Sequence, residues 1–332
     1  MFANRRTGRQ IIDRVPKKEE AVMEAACLRT AYGETLVALG KKDKRIVVLE
    51  ADLCKSTMTV FFEKEYPDNF FEMGIAEANM AATAAGFSLA GKIPFFASFA
   101  AFVPGRCYDQ IRTSICIPNL NVKICGSSAG LSDFGDGSTH QSIDDMALMR
   151  VLPNMRVFSP CDAVQTTKIV EYMAANNGPM YIRVNRNPLP ILTDKKDAFI
   201  PGKLYTMREG NDVAIFTSGV TVSLALSAAL ELEKCGIGAK IINVPSIKPI
   251  DEDTVLEICG KTKAFVTVEE HSIYGGLGDA ISAIAAPCLA RKHVRVGIRD
   301  IFGTSAENYR VLLKHYGFVP ETIIKAAQDA LK

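Results

Sequence analysis

The run NFFEMGIAEANMAATAAGFSLAGKIPFFASF (Asn69–Phe99) carries the pattern that decides the fold. A strand-like FFEMG is followed by a small-residue helical stretch from Ala76 to Ala90, and then by the apolar strand Ile93–Phe99. Outward from this unit the alternation continues. Strands are expected at RIVVLEAD from Arg45, VKICGSS from Val122, MRVFSP from Met155 and PMYIRV from Pro179. A helix is expected over Glu20–Leu39, ending at Gly40, another over Pro104–Ile117, and two more from about Ser142 and Asp162. Continuous Val, Ile and Phe strands between helices imply a parallel sheet covered on both faces.

A second round follows NPLPILTDKKDAFIPGK (Asn187–Lys203), which has three prolines and a charged cluster. Strands are expected at DVAIFTSG from Asp212, AKIINV from Ala239, AFVTVEE from Ala264 and HVRVGIRD from His293. The reading is α/β, with two domains, each a mostly parallel sheet with helices on both faces. Residues 1–20 form a polar arm, 21–190 the first domain, 191–207 a linker and 208–332 the second domain.

Composition excludes several classes. The 332 residues carry 39 Lys and Arg against 37 Asp and Glu, so no charge excess invites nucleic acid or an anionic membrane surface. The longest uncharged stretches, Ala78–Gly91 and Ile93–Gly105, fall short of the roughly 18 apolar residues of a membrane span. The first residues have no secretory pattern, and nine cysteines without a CxxC pair suit reduced thiols, so a cytoplasmic protein is expected.

Two constellations carry chemistry. Glu77 starts a helix of small apolar residues, with Phe99 and Phe102 following the next strand. Such a glutamate complements a helix dipole, or it shares a proton with a ligand beside an apolar wall. Two aromatics at a strand end pack as core, or they flank a planar ring. An acid with an aromatic platform suits a nitrogen heterocycle. The second constellation is LSDFGDGSTHQ (Leu131–Gln141), which crowds Asp133, Asp136 and His140 among glycines. It reads as an Asx turn with a helix cap, or as a polar substrate loop. The GDG at Gly135–Gly137, with Asn176 and Asn177 far downstream, is too widely spaced for a metal-diphosphate motif. The GGLGDAI stretch from Gly275 lacks the third glycine of a dinucleotide loop. No zinc-spaced cluster occurs, and no metal ligands are assigned.

Several motifs in order resemble the C-terminal section of transketolase, and the small subunit of split transketolases. They are GIAEANMAATAAG, PFFASFAAF, GRCYDQIR, PNLNVKI, GDGSTHQSIDDMALMR, SIKPIDED and VEEHSIYGGLGDAI, covering about residues 22–330. The resemblance implies a pyrimidine-binding domain followed by a C-terminal transketolase domain, and thiamine diphosphate as cofactor with Mg2+ held by a partner subunit. By position, Glu77 matches the glutamate that bonds the cofactor's aminopyrimidine. Phe99 and Phe102 match the aromatics packing on that ring, and a third aromatic would fall at Gly105. Asp136 and His140 match residues that recognise the ketose hydroxyls, with His140 also a catalytic proton carrier. Arg29, Ser56 and Arg186 match acceptor-phosphate contacts, and Asp52 a position near the cofactor and the subunit interface. Ser128 stands where the family has a histidine that helps bind the substrate's anionic end, so the tail, phosphate or another anion such as sulfonate, is expected to be read differently.

The implied activity moves a two-carbon ketol unit from a ketose, expected to be a phosphate, to an aldose. It needs an N-terminal transketolase subunit that carries the diphosphate site, in an α2β2 assembly, with the second domain serving dimer contacts and His271 structural. Rivals are the β subunit of a 2-oxo acid dehydrogenase, a deoxyxylulose-phosphate synthase-like enzyme, and a noncatalytic scaffold. The EADL, THQ and YDQIR combination favours transketolase.

Overall fold

A computed structural model describes residues 24–332; the expected N-terminal arm lies outside the described residues. The strands in chain order are β1 (Ala25–Cys27), β2 (Ile46–Glu50), β3 (Phe70–Glu72), β4 (Ile93–Phe99), β5 (Lys123–Ser127), β6 (Arg156–Phe158) and β7 (Met180–Val184). They continue with β8 (Pro188–Pro190), β9 (Tyr205–Arg208), β10 (Val213–Thr217), β11 (Ala239–Asn243), β12 (Ser246–Lys248), β13 (Ala264–Ser272) and β14 (Lys292–Ile298).

The first domain is built on a seven-stranded sheet of order β12-β6-β7-β5-β4-β2-β3. Every neighbouring pair is parallel except β12 with β6. The alternation of side chains along each strand divides the core into two layers. Val47, Leu49, Phe96 and Ile124 pack on one face, and Ile46, Val48, Phe95 and Cys125 on the other. All of them are buried, which is why these runs are apolar without a break. The second domain holds a five-stranded sheet, β14-β13-β10-β11-β9, parallel except for β9.

The two domains are joined by more than a linker. Strand β12 comes from the second domain and closes the edge of the first domain's sheet, with Ser246 opposite Phe158. One apolar cluster runs from Val47 and Phe96 to Phe216 and Phe265. The buried pair Arg183–Asp145 sits at the junction, with the Arg183 guanidinium also donating to the Glu270 carbonyl at 3.2 and 3.3 Å.

Several boundaries differ from the sequence reading. The first helix runs Leu28–Lys42 and passes through Gly40. A Cβ there would lie 2.6 Å from the Phe62 ring, so Gly40 serves close packing rather than a stop. The stretch expected as one helix over Pro104–Ile117 is broken into Val103–Arg106, Tyr108–Gln110 and a π-helical segment Ile111–Cys116. The helix expected from about Ser142 starts at Asp145. Residues 205–208, given to linker and second domain, form strand β9.

Candidate active site

In a doubly wound sheet the ligand crevice lies beyond the strand C-termini, where the order reverses. Here the chain turns back between β2 and β4. The segments leaving β3, β4 and β5 carry Glu77, then Phe99 to Arg106, then Ser128 to His140.

Glu77 is the first residue of the helix Glu77–Leu89, 5% exposed, with Met80, Ala81 and Ala84 of the same helix buried. Small side chains let this helix lie close to the sheet, which brings its N-terminus and carboxylate to the crevice. Arg106 Nη1 donates to Glu77 Oε1 at 2.5 Å. The Arg106 guanidinium lies over the Phe102 ring, 4.0 Å from its centre. Phe102 stacks with Phe99 at 5.7 Å between ring centres. His140 meets both rings edge-on, at 6.1 Å from Phe99 and 5.3 Å from Phe102. Its Nδ1 shares a hydrogen bond with the Thr139 hydroxyl at 2.9 Å, which orients the imidazole. Three residues singled out from the sequence, Phe99, Phe102 and His140, are thus in contact, and Arg106 links a fourth, Glu77, to them.

The other expected residues take separate places. Arg29 and Ser56 meet, through Arg29 Nη1 and the Ser56 carbonyl at 2.6 Å. Arg186 forms an ion pair with Asp133 at the start of the Leu131–Gln141 loop, and its backbone N–H donates to the Ser132 hydroxyl at 3.2 Å. Its guanidinium remains 36% exposed and available to an anion. Ser128 is buried at positive φ, 53°, and its hydroxyl has no hydrogen-bond partner among the described residues. Asp136 is exposed on the loop, just before the turn Gly137–Thr139. Asp52 is exposed at φ 62°, and its N–H donates to Glu72 Oε1 at 2.8 Å. No hydrogen bond, ion pair or ring contact among the described residues joins Asp52, Asp136 or Ser128 to the Glu77 group.

Sequence reasoning missed three supports. Glu72 Oε1 takes the N–H groups of both Asp52 and Gly74, tying the ends of β2 and β3 just ahead of Glu77. Arg106 is the partner of Glu77, and its place shortly after the C-terminal end of β4 is the signal that could have found it. Glu270, in the VEEH run, takes the Leu131 N–H at 2.9 Å and the Tyr309 hydroxyl at 2.7 Å, and so anchors the Leu131–Gln141 loop from the second domain. Burial pushes the Glu270 carboxyl up to about 7, with Arg183 opposing. His271 beside it is fully buried, and burial pushes it down to about 4, in keeping with a structural place.

The residues fit the ring of thiamine diphosphate. A carboxylate beside two stacked phenyl rings, with a flat nitrogen-rich group already lying on Phe102 and bonded to Glu77, shows a seat of the needed shape and polarity. Among the described residues no group of three or more His, Cys, Asp and Glu side chains is placed to hold a metal ion. No helix among them is long and apolar enough to cross a membrane.

Residues 24–191 match the transketolase pyrimidine-binding domain, and residues 202–323 match the transketolase C-terminal domain. A solved structure titled a split gene transketolase, inactive beta4 tetramer, superposes with a TM-score of 0.85 at 45% identity, over 93% of this chain and 99% of that one. A 6-deoxy-6-sulfo-D-fructose transketolase subunit of a Clostridium species is 40% identical over 93% of this chain and 96% of the relative. One of the apulose-4-phosphate transketolase subunits of Phocaeicola vulgatus is 36% identical over 92% of this chain and 98% of the relative.

Proposed function

Because the chain belongs to the transketolase family, we propose that it moves a two-carbon ketol unit from an anionic ketose to an aldose, as one subunit of a two-chain enzyme. The observation that carries the reading is the seat formed by Glu77, Phe99, Phe102 and His140. Thiamine diphosphate, when bound, supplies the electron sink for carbon–carbon bond cleavage. Glu77 holds the ring through a hydrogen bond and shares its proton, and the two phenylalanines fix the ring plane. His140, edge-on to that platform and oriented by Thr139, is placed to position a ketose hydroxyl and carry a proton from it. Asp136, on the same loop, is proposed to bind a second hydroxyl.

The diphosphate and Mg2+ are proposed to be held by a partner subunit, in an α2β2 assembly. Support comes from relatives that carry subunit names. Arg186 is proposed to read the substrate's anionic end together with Arg29 and Ser56. The Cys27 thiol, two residues before Arg29, lies 3.8 Å from the Arg186 carbonyl and ties the two segments together. The two relatives are named for a sulfonated sugar and for a sugar phosphate, and an anionic tail is what the names share.

Native mass spectrometry of the complex from its own cells is the first test. A stoichiometric second chain with a metal-diphosphate motif, with ketol transfer by the complex and none by either chain alone, is the expected result. Full turnover by this chain alone overturns the two-chain reading. On that complex, kcat/KM for sulfonated against phosphorylated ketoses measures how the tail is read. A ratio unchanged by Ser128→His removes Ser128 from that role.

A further inference from the structure

Arg106 makes two contacts in the seat. It donates a hydrogen bond to Glu77 at 2.5 Å, and it stacks on Phe102 at 4.0 Å. A guanidinium is flat and carries N–H donors in its plane around an N–C–N unit. An aminopyrimidine ring is also flat and contains an N–C–N unit. In this seat it would direct a ring nitrogen at Glu77 and lay its face along the phenylalanines. Arg106 therefore occupies, from within the chain, the two places that the ring requires: the Glu77 oxygen, to which the guanidinium donates and from which a ring nitrogen would accept the Glu77 proton, and the face of Phe102. One place on Phe102 at stacking distance cannot hold both groups.

We propose that Arg106 is an internal occupant of the aminopyrimidine seat, bonded to Glu77 in the free chain and displaced when the ring docks. This rests on the thiamine reading above. Three features make the displacement physically easy. The side chain of Arg106 is 49% exposed against 6% for Glu77, so its charge returns to water when it leaves. It stands at the end of the four-residue helix Val103–Arg106, on a long flexible stem. Beside it, a Cβ at Gly105 would meet nothing within 4 Å, which leaves open space where the family's third aromatic would stand. The arrangement also answers a cost. A carboxylate nearly buried against small apolar residues is unfavourable without a partner, and Arg106 supplies one until the ring arrives. The ring then competes with a tethered cation, and its apparent affinity falls by the fraction of chains in which the seat is open.

The test uses the full chain, as wild type, Arg106→Met and Arg106→Lys. The probe is 4-amino-5-hydroxymethyl-2-methylpyrimidine, which has the ring without the charged tail. Binding is followed by the NMR signals of the His140 imidazole, which touches both phenylalanines. The expected result is that Arg106→Met binds the probe about tenfold tighter at low salt. Added salt screens the half-exposed pair, so wild-type affinity rises toward that of the Met variant, whose own affinity stays flat. Arg106→Lys keeps the charge without the flat stack, and falls between them with its salt response retained. Equal or weaker binding by Arg106→Met overturns the proposal, because Arg106 would then support the ring rather than hold its place. A salt response identical in wild type and the Met variant also overturns it. Failure of the thiamine reading itself looks different: neither chain binds at saturating probe while both keep native circular dichroism, and the inference falls with it.

Discussion

Glu77 in the first domain and Glu270 in the second are equally buried, each 5% exposed, and they are wired in opposite ways. The Glu270 carboxylate takes a backbone N–H from Leu131, a hydroxyl from Tyr309 and, at 3.5 Å, the amide of Asn185. All of these donors are themselves held in the core. The Glu77 carboxylate is held by one arginine whose guanidinium is half in water. A carboxylate saturated by fixed donors has no capacity left for a ligand, whereas one held by a movable cation keeps that capacity. Under the proposed reading, burial alone does not mark the functional acid; the exposure of its partner does.

The largest effect expected from this contrast is on turnover. Glu77→Gln keeps shape and hydrogen-bonding reach but removes the shared proton. It is expected to lower kcat of the assembled complex by about 10²- to 10⁴-fold. Thermal unfolding of the chain should hardly move, since the ionic partner lost, Arg106, is half-exposed. Glu270→Gln should do the reverse, with a clear drop in Tm and a smaller loss of kcat. Steady-state kinetics and calorimetry on the two variants decide it. Equal losses of kcat at unchanged Tm would break the comparison.

Two glycines repeat the contrast, one packed against Glu270 and one next to Arg106, the partner of Glu77. Gly130 has φ 67°, and a Cβ there would sit 2.5 Å from the Glu270 carboxyl group. Gly130→Ala is expected to cost roughly 2–4 kcal/mol, from left-handed backbone strain together with overpacking. Hydrogen exchange should quicken across Leu131–Gln141 in that variant, because Leu131 loses its anchor on Glu270. Gly105→Ala meets open space, and stability should stay the same or rise by about 0.5–1 kcal/mol. Chemical denaturation of both variants measures the difference.

Much of this architecture was legible because the central strands are buried on both faces. Runs such as IVVLE in β2, IPFFASF in β4 and VAIFT in β10 have no exposed position to interrupt their apolar pattern. The three-residue strands β1, β8 and β12 were not legible. SIK in β12 has no pattern of its own, and its pairing with β6 spans 88 residues of chain between Ser246 and Phe158. Gly40 read as a helix end, because its role depends on rings 22 and 26 residues away, Phe62 and Tyr66. At the site, Glu77, Phe99, Phe102 and His140 stood out by residue type and position, and the resemblance added their roles; the last three are in contact, and Arg106 links Glu77 to them. Arg106 and Glu270 were hidden for one reason. An arginine after a glycine reads as a surface charge, and a glutamate in a strand reads as structural, until the long-range partner is known.

A further expected effect concerns pH, and it isolates the second domain's acid by titration. Burial pushes Glu269 and Glu270 up to about 7 from an ordinary value of 4.5, and pushes His271 down to about 4 from 6.5. For each glutamate the folded state favours the protonated form. Its contribution to stability is fully present below about 4.5 and is lost as pH rises through about 7. His271 acts with the other sign. Its folded state favours the neutral ring, so stability is lost as pH falls from about 6.5 toward 4. Between pH 5.5 and 8 the two glutamates dominate, and wild-type stability should fall. Glu270→Gln removes one of the two titrations and leaves Glu269 in place, so its stability should fall less over the same interval, by roughly 1–3 kcal/mol. Groups facing Glu270 from the packed elements are Arg183, Asp145 and Tyr309. The buried Arg183–Asp145 ion pair is common to both proteins, so it cancels in the difference between them. Unfolding free energies at pH 5.5 and 8 for the two proteins give that double difference. If the two profiles run parallel, Glu270 does not exchange its proton over this range, and its saturated wiring holds it in one ionisation state from pH 5.5 to 8.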